Sequence, residues 1–235
     1  MQFTEPLKPA TLIRRYKRFL ADLCLPDGRI LTVHCPNSGS MKTCSEPGSP
    51  VYYSRSANPG RTYPHTLEMV ASEGTWVGIN TGRSNTIVAE ALLRGSITEI
   101  APVESLKKEV RTSTGNRLDL VALSNGVDTY IEVKNCTYVE DRCALFPDAV
   151  TARGTKHLQE LTRLVRDGRR AVIFFLIQRL DADRFAPAGK IDPLYAETLS
   201  TAQSVGVEVL AYQASVSPTA IDIVRPLPLD VPPSL

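Results

Sequence analysis

Hydrophobic and polar positions change rhythm near residue 88. Upstream, apolar residues come in short runs, at 23–25, 29–34, 50–53 and 67–71. Between them lie Pro26-Asp27-Gly28, Pro36-Asn37-Ser38-Gly39, Pro47-Gly48 and Asn58-Pro59-Gly60. Short strands broken by Gly/Pro turns predict a small all-β domain, most simply an OB-like barrel, over residues 1–84. Residues 85–93 read as a short helix bridging two halves. Downstream, 118–123 and 130–133 read as strands. Residues 155–167 read as a helix with Leu158, Leu161, Leu164 and Val165 on one face, Thr155 as its N-cap and Gly168 beyond its end. Residues 170–177 are almost wholly apolar, as in a strand buried on both faces. A second helix at 193–204, closed by Gly206, and a last strand at 207–212 complete the pattern. Strands alternating with helices predict an α/β domain over 85–235, with helices flanking a mixed sheet. The four prolines of 226–235 predict a tail lying along the surface.

The Asp119 and Glu132 region carries the chemistry. Asn116-Arg117-Leu118-Asp119-Leu120-Val121 is followed by Tyr130-Ile131-Glu132-Val133-Lys134-Asn135. Side chains alternate along a strand, so Ile131 and Val133 share one face and Glu132 and Lys134 the other. In the same way Leu118 and Leu120 oppose Arg117 and Asp119. Asn125-Gly126 is the preferred two-residue hairpin turn. It pairs Ser124 with Val127, and counting back sets Asp119 opposite Glu132 and Arg117 opposite Lys134. Facing carboxylates repel unless something joins them. A divalent cation, Mg²⁺ or Mn²⁺, does so through one or two carboxylates, water and substrate phosphate. Asp119 and Glu132, with the Val133 carbonyl, are therefore the expected metal ligands, and Lys134 positions the attacking water. That set suits phosphodiester hydrolysis.

Composition narrows the classes. Of 235 residues 43% are apolar and 22% charged, which excludes disordered and collagen-like chains. The longest apolar run, 171–177, is too short to span a bilayer, and residues 1–6 lack a signal-peptide pattern, so no membrane partner and a cytoplasmic location are expected. Five cysteines, an odd number without a C-x-x-C pair, argue against a disulfide framework or a zinc ribbon. Residues 1–85 hold ten Lys/Arg against six Asp/Glu, a net of +4, while the remainder carries −2. The basic excess points to a polyanionic partner on the first domain. Arg14-Arg15-Tyr16-Lys17-Arg18-Phe19 is its densest stretch, with cations for phosphates and aromatics for bases, and Arg14 to Arg18 are the expected nucleic-acid contacts. Asn37 and Asn80 stand beside glycines and are read as turn residues. His34 and His65 are read as structural, and His157 as a capping or packing residue of its helix, with a reach to the site as the alternative.

Residues 130–134, the run Phe146-Pro147-Asp148-Ala149-Val150-Thr151-Ala152-Arg153-Gly154 and Lys156-His157-Leu158 strongly resemble the SfsA family, the sugar fermentation stimulation proteins. Residues 15–22, 36–39 and Asn80-Thr81-Gly82 extend the likeness over nearly the whole chain. Ser40 departs from it, standing where many members carry arginine. The resemblance implies an N-terminal OB-like domain, a C-terminal domain of the PD-(D/E)xK nuclease type, binding to DNA (RNA being a further candidate) and a bacterial role in regulating sugar utilisation. It assigns Asp119, Glu132 and Lys134 to the nuclease motif. It also adds Glu109, from Lys107-Lys108-Glu109-Val110-Arg111, as a metal ligand. Two functions from different classes follow: a Mg²⁺-dependent nuclease, or a DNA-binding regulator that keeps the nuclease fold without turnover.

Overall fold

The structure, a computed structural model, describes residues 1–112 and 115–231. Six strands build the first unit: β1 (Lys8–Tyr16), β2 (Leu20–Cys24), β3 (Ile30–His34), β4 (Pro50–Arg55), β5 (His65–Ser72) and β6 (Thr75–Gly78). They hydrogen-bond in the order β3-β2-β1-β4-β5-β6, and a parallel contact between His34 and Thr66 closes β3 onto β5. Leu12, Leu23, Val33, Val51, Leu67 and Val77 point inward and fill the barrel. The basic run 14–19 thus ends an interior strand, β1 lying between β2 and β4, and then forms the turn into β2.

The second unit is a six-stranded mixed sheet. Its strands are β7 (Ser105–Arg111), β8 (Arg117–Ser124), β9 (Val127–Cys136), β12 (Arg170–Ile177), β14 (Glu208–Val216) and β15 (Ile221–Pro226), in the order β15-β14-β12-β9-β8-β7. β12 runs parallel to both β9 and β14, and every residue from Ala171 to Ile177 is buried. Its alternate residues feed two cores. Val172, Phe174 and Leu176 meet α1 (Ser84–Leu93) on one face; Ile173, Phe175 and Ile177 meet α2 (Ala152–Arg166) and α3 (Pro193–Val205) on the other. Three short strands, β10 (Tyr138–Glu140), β11 (Cys143–Phe146) and β13 (Arg184–Pro187), form a small side sheet.

Local chemistry sets the helix ends. α2 begins three residues before the expected start, because Thr151 and not Thr155 accepts the Gly154 N–H; such a cap contributes about 1 kcal/mol. Asp192 caps α3 by accepting from Tyr195, and Gly206 closes it at φ 113. Gly168 follows α2 at φ 77. The expected last strand is longer than its apolar core and is followed by β15, whose solvent-facing residues hide it from periodicity. The proline-rich tail does not trail: Leu227 is buried and donates to the Ala211 carbonyl, and Asp230 donates to Phe185. Residues 232–235 of that expected tail lie outside the described residues. Residues 2 and 3 leave the barrel and join the second unit, through a Gln2–Ala220 bridge and Phe3 N–H to the Thr219 carbonyl.

The two units are fastened together beside the site. The Met41 N–H donates to Asp148 at 3.0 Å, and Gly78 N–H donates to the Gln178 carbonyl at 2.9 Å. Arg179, 1% exposed, reaches Thr43 and the Thr137 carbonyl while Asp181 neutralises it. A Cβ at Gly39 would sit 2.4 Å from the Asp148 carboxylate, and one at Gly78 2.4 Å from the Gln178 amide oxygen, so a larger residue at either junction position would displace the side chain it meets.

Candidate functional site

The Asn125-Gly126 turn forms as its sequence dictates, and Ser124 pairs with Val127. The register holds back to Leu120–Ile131, then the ladder stops. One residue further, the Asp119 carboxylate accepts the Val133 N–H at 2.9 Å and takes the place of a backbone partner. The strand's alternation breaks at the same point. Leu120 packs with the α1 core, whereas Leu118 packs with the α2–α3 core, so the two do not share a face as expected. Arg117 consequently never reaches Lys134; it pairs with Glu109 at 2.7 Å.

This departure from the ladder opens a cleft of about 400 Å³ between the barrel and the sheet. Asp119, Glu132, Val133 and Lys134 form its floor, with Arg18 and the loop 37–39 on the barrel side and residues 147–153 and His157 on the other. Glu132 is 2% exposed. Its Oε1 accepts from Lys134 Nζ at 2.7 Å and from His157 Nδ1, while Oε2 is buried with no hydrogen-bond partner. Asp119 Oδ1 accepts from the Asn85 amide at 2.8 Å, which ties the start of α1 to the site. The two acids are tuned in opposite directions. Burial, then the Glu132 charge, raises the Asp119 pKa. Burial acts to raise Glu132 as well, but the His157 hydrogen bond and the Lys134 charge outweigh it and hold Glu132 low. Glu132 keeps its charge; Asp119 is strained in holding its own.

The sequence favours packing for His157 over reach to the site, and the structure sets it in the cleft against Glu132. Its Nε2 accepts from Arg153 at 3.3 Å, which assigns the ring proton to Nδ1, facing Glu132. The available signal was spacing: Arg153 and His157 are one helical turn apart and so lie on one face. Asn85 carried no signal, since its role depends on where α1 docks. Glu109 stands apart from the group, exposed at a positive φ of 57 and ion-paired with Arg117.

The basic run divides. Arg14 bonds Asp22 at 2.8 Å and lies 4.8 Å over the Tyr16 ring, and the Tyr16 hydroxyl donates to the same Asp22. Arg15 donates to four backbone carbonyls, those of Arg18, Asn37, Gly39 and Ser40, and so shapes the barrel wall of the cleft. Lys17 and Arg18 form the turn at positive φ. Arg18 bonds the Ser38 carbonyl at 3.0 Å and faces the cleft; Phe19 beside it is 55% exposed. Asn37 and Asn80 are turn residues as read, accepting from Gly39 and Gly82.

Do these residues fit a divalent cation? The buried Oε2 of Glu132 has no hydrogen-bond partner and so leaves an acceptor free for a cation, and the Asp119 carboxylate pKa is raised by burial first and then by the Glu132 charge beside it. N–H and C=O of one strand residue point to the same edge in an antiparallel pair, so the Val133 carbonyl faces the side from which its N–H meets Asp119. Among the described residues no set of three or more Asp, Glu, His or Cys side chains forms a cage. Two carboxylates and a carbonyl are nonetheless the donor set that Mg²⁺ uses when water and phosphate supply the rest.

A closed five-strand barrel of OB type, ahead of a nuclease-type α/β domain with an Asp and Glu-x-Lys floor, defines the class of protein. Family models agree along the chain: "SfsA N-terminal OB domain" matches residues 13–79 and "Sugar fermentation stimulation protein RE domain" matches 82–220. The chain belongs to the SfsA family. A sugar fermentation stimulation protein homolog of Desulfotalea psychrophila is 58% identical over 95% of each chain. That of Pelobacter propionicus is 54% identical over 95% of this chain and 97% of its own. The solved structure of Pyrococcus furiosus SfsA in complex with Ca²⁺ superposes with a TM-score of 0.89 at 27% identity, over 98% of both chains.

Proposed function

We propose that this protein binds nucleic acid, DNA in the first place, in the cleft between its two units and hydrolyses a phosphodiester there with the help of Mg²⁺ or Mn²⁺. The observation that carries the reading is the convergence of Asp119, Glu132 and Lys134 on one floor, with the Glu132 Oε2 buried and unpartnered. Asp119, Glu132 and the Val133 carbonyl would hold the cation. When bound it polarises the phosphoryl group and lowers the pKa of the attacking water. Lys134 orients that water, sharing its ammonium with Glu132. Arg18 and Arg153, on opposite walls, supply phosphate contacts. The Ca²⁺ in the Pyrococcus structure supports a divalent cation in this family. The relatives' names support a link to sugar fermentation. Five free cysteines suit a reducing, cytoplasmic setting.

One observation favours the second reading, a DNA-binding regulator without turnover. Asp119 already accepts two protein hydrogen bonds, and Glu132 is partly neutralised by Lys134 and His157, so the pair is tolerable without a cation. Single-turnover assays on single- and double-stranded DNA and RNA, with Mg²⁺ or Mn²⁺ against EDTA, separate the two. Cation-dependent cleavage supports the enzyme; normal binding with no cleavage of any substrate supports the regulator.

A further inference from the structure

The cleft at Asp119 adjoins a larger depression of about 710 Å³ on the barrel, walled by Phe3, His34, Arg55, Arg61, Glu68 and Arg83. The two meet at a single seam. Pro36 and Gly82 line the larger one, Asn37 and Thr81 the smaller, and between them Thr81 Oγ1 donates to the Pro36 carbonyl at 2.6 Å. The two depressions therefore adjoin where residues 36–37 and 81–82 pass from one to the other, and together form a trough.

Its electrostatics are uneven. Glu68, 1% exposed, is satisfied by Ser54, Asn80 and Arg83. Glu90 lies 3.1 Å from the Met1 amino group, and Glu5 sits at the rim without a cationic partner among the described residues. Arg55 and Arg61 have no acidic partner among the described residues. Arg61 is held in place by Thr66 Oγ1 at 3.1 Å and His34 Nδ1 at 3.3 Å, both neutral contacts that leave its charge unspent. Phe3 lies under the Arg83 guanidinium at 5.5 Å in this depression, and Phe19, 55% exposed, follows Arg18 of the smaller cleft in sequence. Cations that track a backbone, interspersed with aromatic faces, are how sequence-tolerant sites hold unpaired strands.

We propose that the larger depression seats the portion of a single-stranded nucleic acid adjoining the portion at Asp119, with Arg55 and Arg61 binding its phosphates. This rests on reading the Asp119 cleft as a nucleic-acid site. The test is fluorescence anisotropy of the full chain in EDTA, with oligothymidylates of about 4 and about 16 nucleotides, the span one OB barrel covers, and a duplex matching the longer one. Wild type should bind the longer strand more tightly than the shorter one and more tightly than the duplex. The Arg55→Ala/Arg61→Ala variant should lose the gain with length. Its salt slope on the longer strand should fall by about 1.4, two phosphate contacts at about 0.7 each on single strands. Arg55→Glu, on an exposed side chain with no internal ion pair, provides a variant whose fold is not at risk, and it should also flatten the slope. Unchanged slopes in both variants, no gain with length in wild type, or a duplex bound as tightly as the strand would each overturn the proposal. Because EDTA removes catalysis, the two readings fail separately. Flattened slopes without cleavage by any cation retain the trough and discard the hydrolase; cleavage with unchanged slopes does the reverse.

Discussion

Replacing Asp119 by Asn separates metal binding from architecture. In the wild type Asp119 accepts from Asn85 and from Val133 N–H. An amide has one acceptor oxygen, which keeps the Val133 N–H. Its NH₂ group then faces Asn85, whose own amide can turn over and present its oxygen, so neither buried group is stranded. The lost charge is one the folded protein disfavours, since burial and Glu132 both raise the Asp119 pKa. In EDTA the variant should therefore match wild-type stability to within about 1 kcal/mol, the worth of one hydrogen bond. With a cation the two should diverge. A ligand present at about 100 times its Kd stabilises by about 2.7 kcal/mol, and in a chain of this size each kcal/mol moves the Tm by about 2–4 °C. Wild type should gain roughly 5–11 °C in saturating Mn²⁺, and Asp119→Asn should gain almost nothing and cleave nothing. Thermal unfolding across a Mn²⁺ titration, beside single-turnover cleavage, reads both. A full Mn²⁺ shift in the variant would show that Asp119 is no ligand. A loss of several kcal/mol in EDTA would show that the carboxylate's task is to tie α1 to β9.

Lys134→Met keeps most of the side-chain volume and should retain the cation-induced Tm shift while slowing single-turnover cleavage by about 10²–10⁴-fold, the usual cost of a lost acid–base group. An unchanged rate would remove Lys134 from the chemistry. Arg15→Ala should act on stability, lowering it by about 1.5–3 kcal/mol for lost charged hydrogen bonds, because its guanidinium is spent on four carbonyls; urea unfolding measures this, and wild-type stability would contradict it. His34 and His65 both have lowered pKa values, through burial first and then a nearby arginine. The unfolded chain takes up their protons more readily, so their contribution is intact at neutral pH and shrinks as pH falls through the unfolded value of about 6.5. Between pH 7 and pH 5 the Tm of wild type should fall further than that of His34→Gln/His65→Gln; parallel curves would refute the assignment.

How far the sequence reveals the fold depends on whether an element's identity is local. Residues 170–177 are apolar without a break because the strand is covered on both faces, and nothing but a central strand of a layered domain needs that. α3 advertises itself through Asp192, Pro193 and Gly206, all of which act within a turn of the helix end. β7, β13 and β15 lack such signals. Their burial patterns alternate poorly or leave polar residues outward, and they exist because a neighbouring strand offers open hydrogen-bonding groups. The basic run at 14–18 shows the same limit in side chains. Composition shows four cations and an aromatic, but Asp22 and the carbonyls of the loop 37–40 decide that Arg14, Arg15, Tyr16 and Arg18 all bond within the chain, with Arg18 also facing the cleft.

The site follows the same division. Asp119, Glu132 and Lys134 are legible as candidates because a two-residue hairpin turn fixes the register as far as Leu120–Ile131, one residue short of the acids, and each step to that point is local. What the sequence cannot encode locally is the break at Asp119, where the ladder ends and the carboxylate bonds the backbone instead. That break depends on Asn85, which α1 delivers, and α1 is anchored in turn by the Asn80–Arg83 turn clasping the buried Glu68 of the barrel. A chain of contacts therefore runs from a barrel strand to the first acid of the floor. His157 enters from the opposite side, carried by α2, whose cap at Thr151 is itself held by Asp192 from the start of α3. The two acids sit on adjacent strands, but their surroundings are assembled from the barrel on one side and the α2–α3 layer on the other. The opposite tuning of Asp119 and Glu132 follows from these surroundings: burial and the Glu132 charge raise Asp119 against the bonds from Val133 N–H and Asn85, whereas His157 and Lys134 outweigh burial at Glu132.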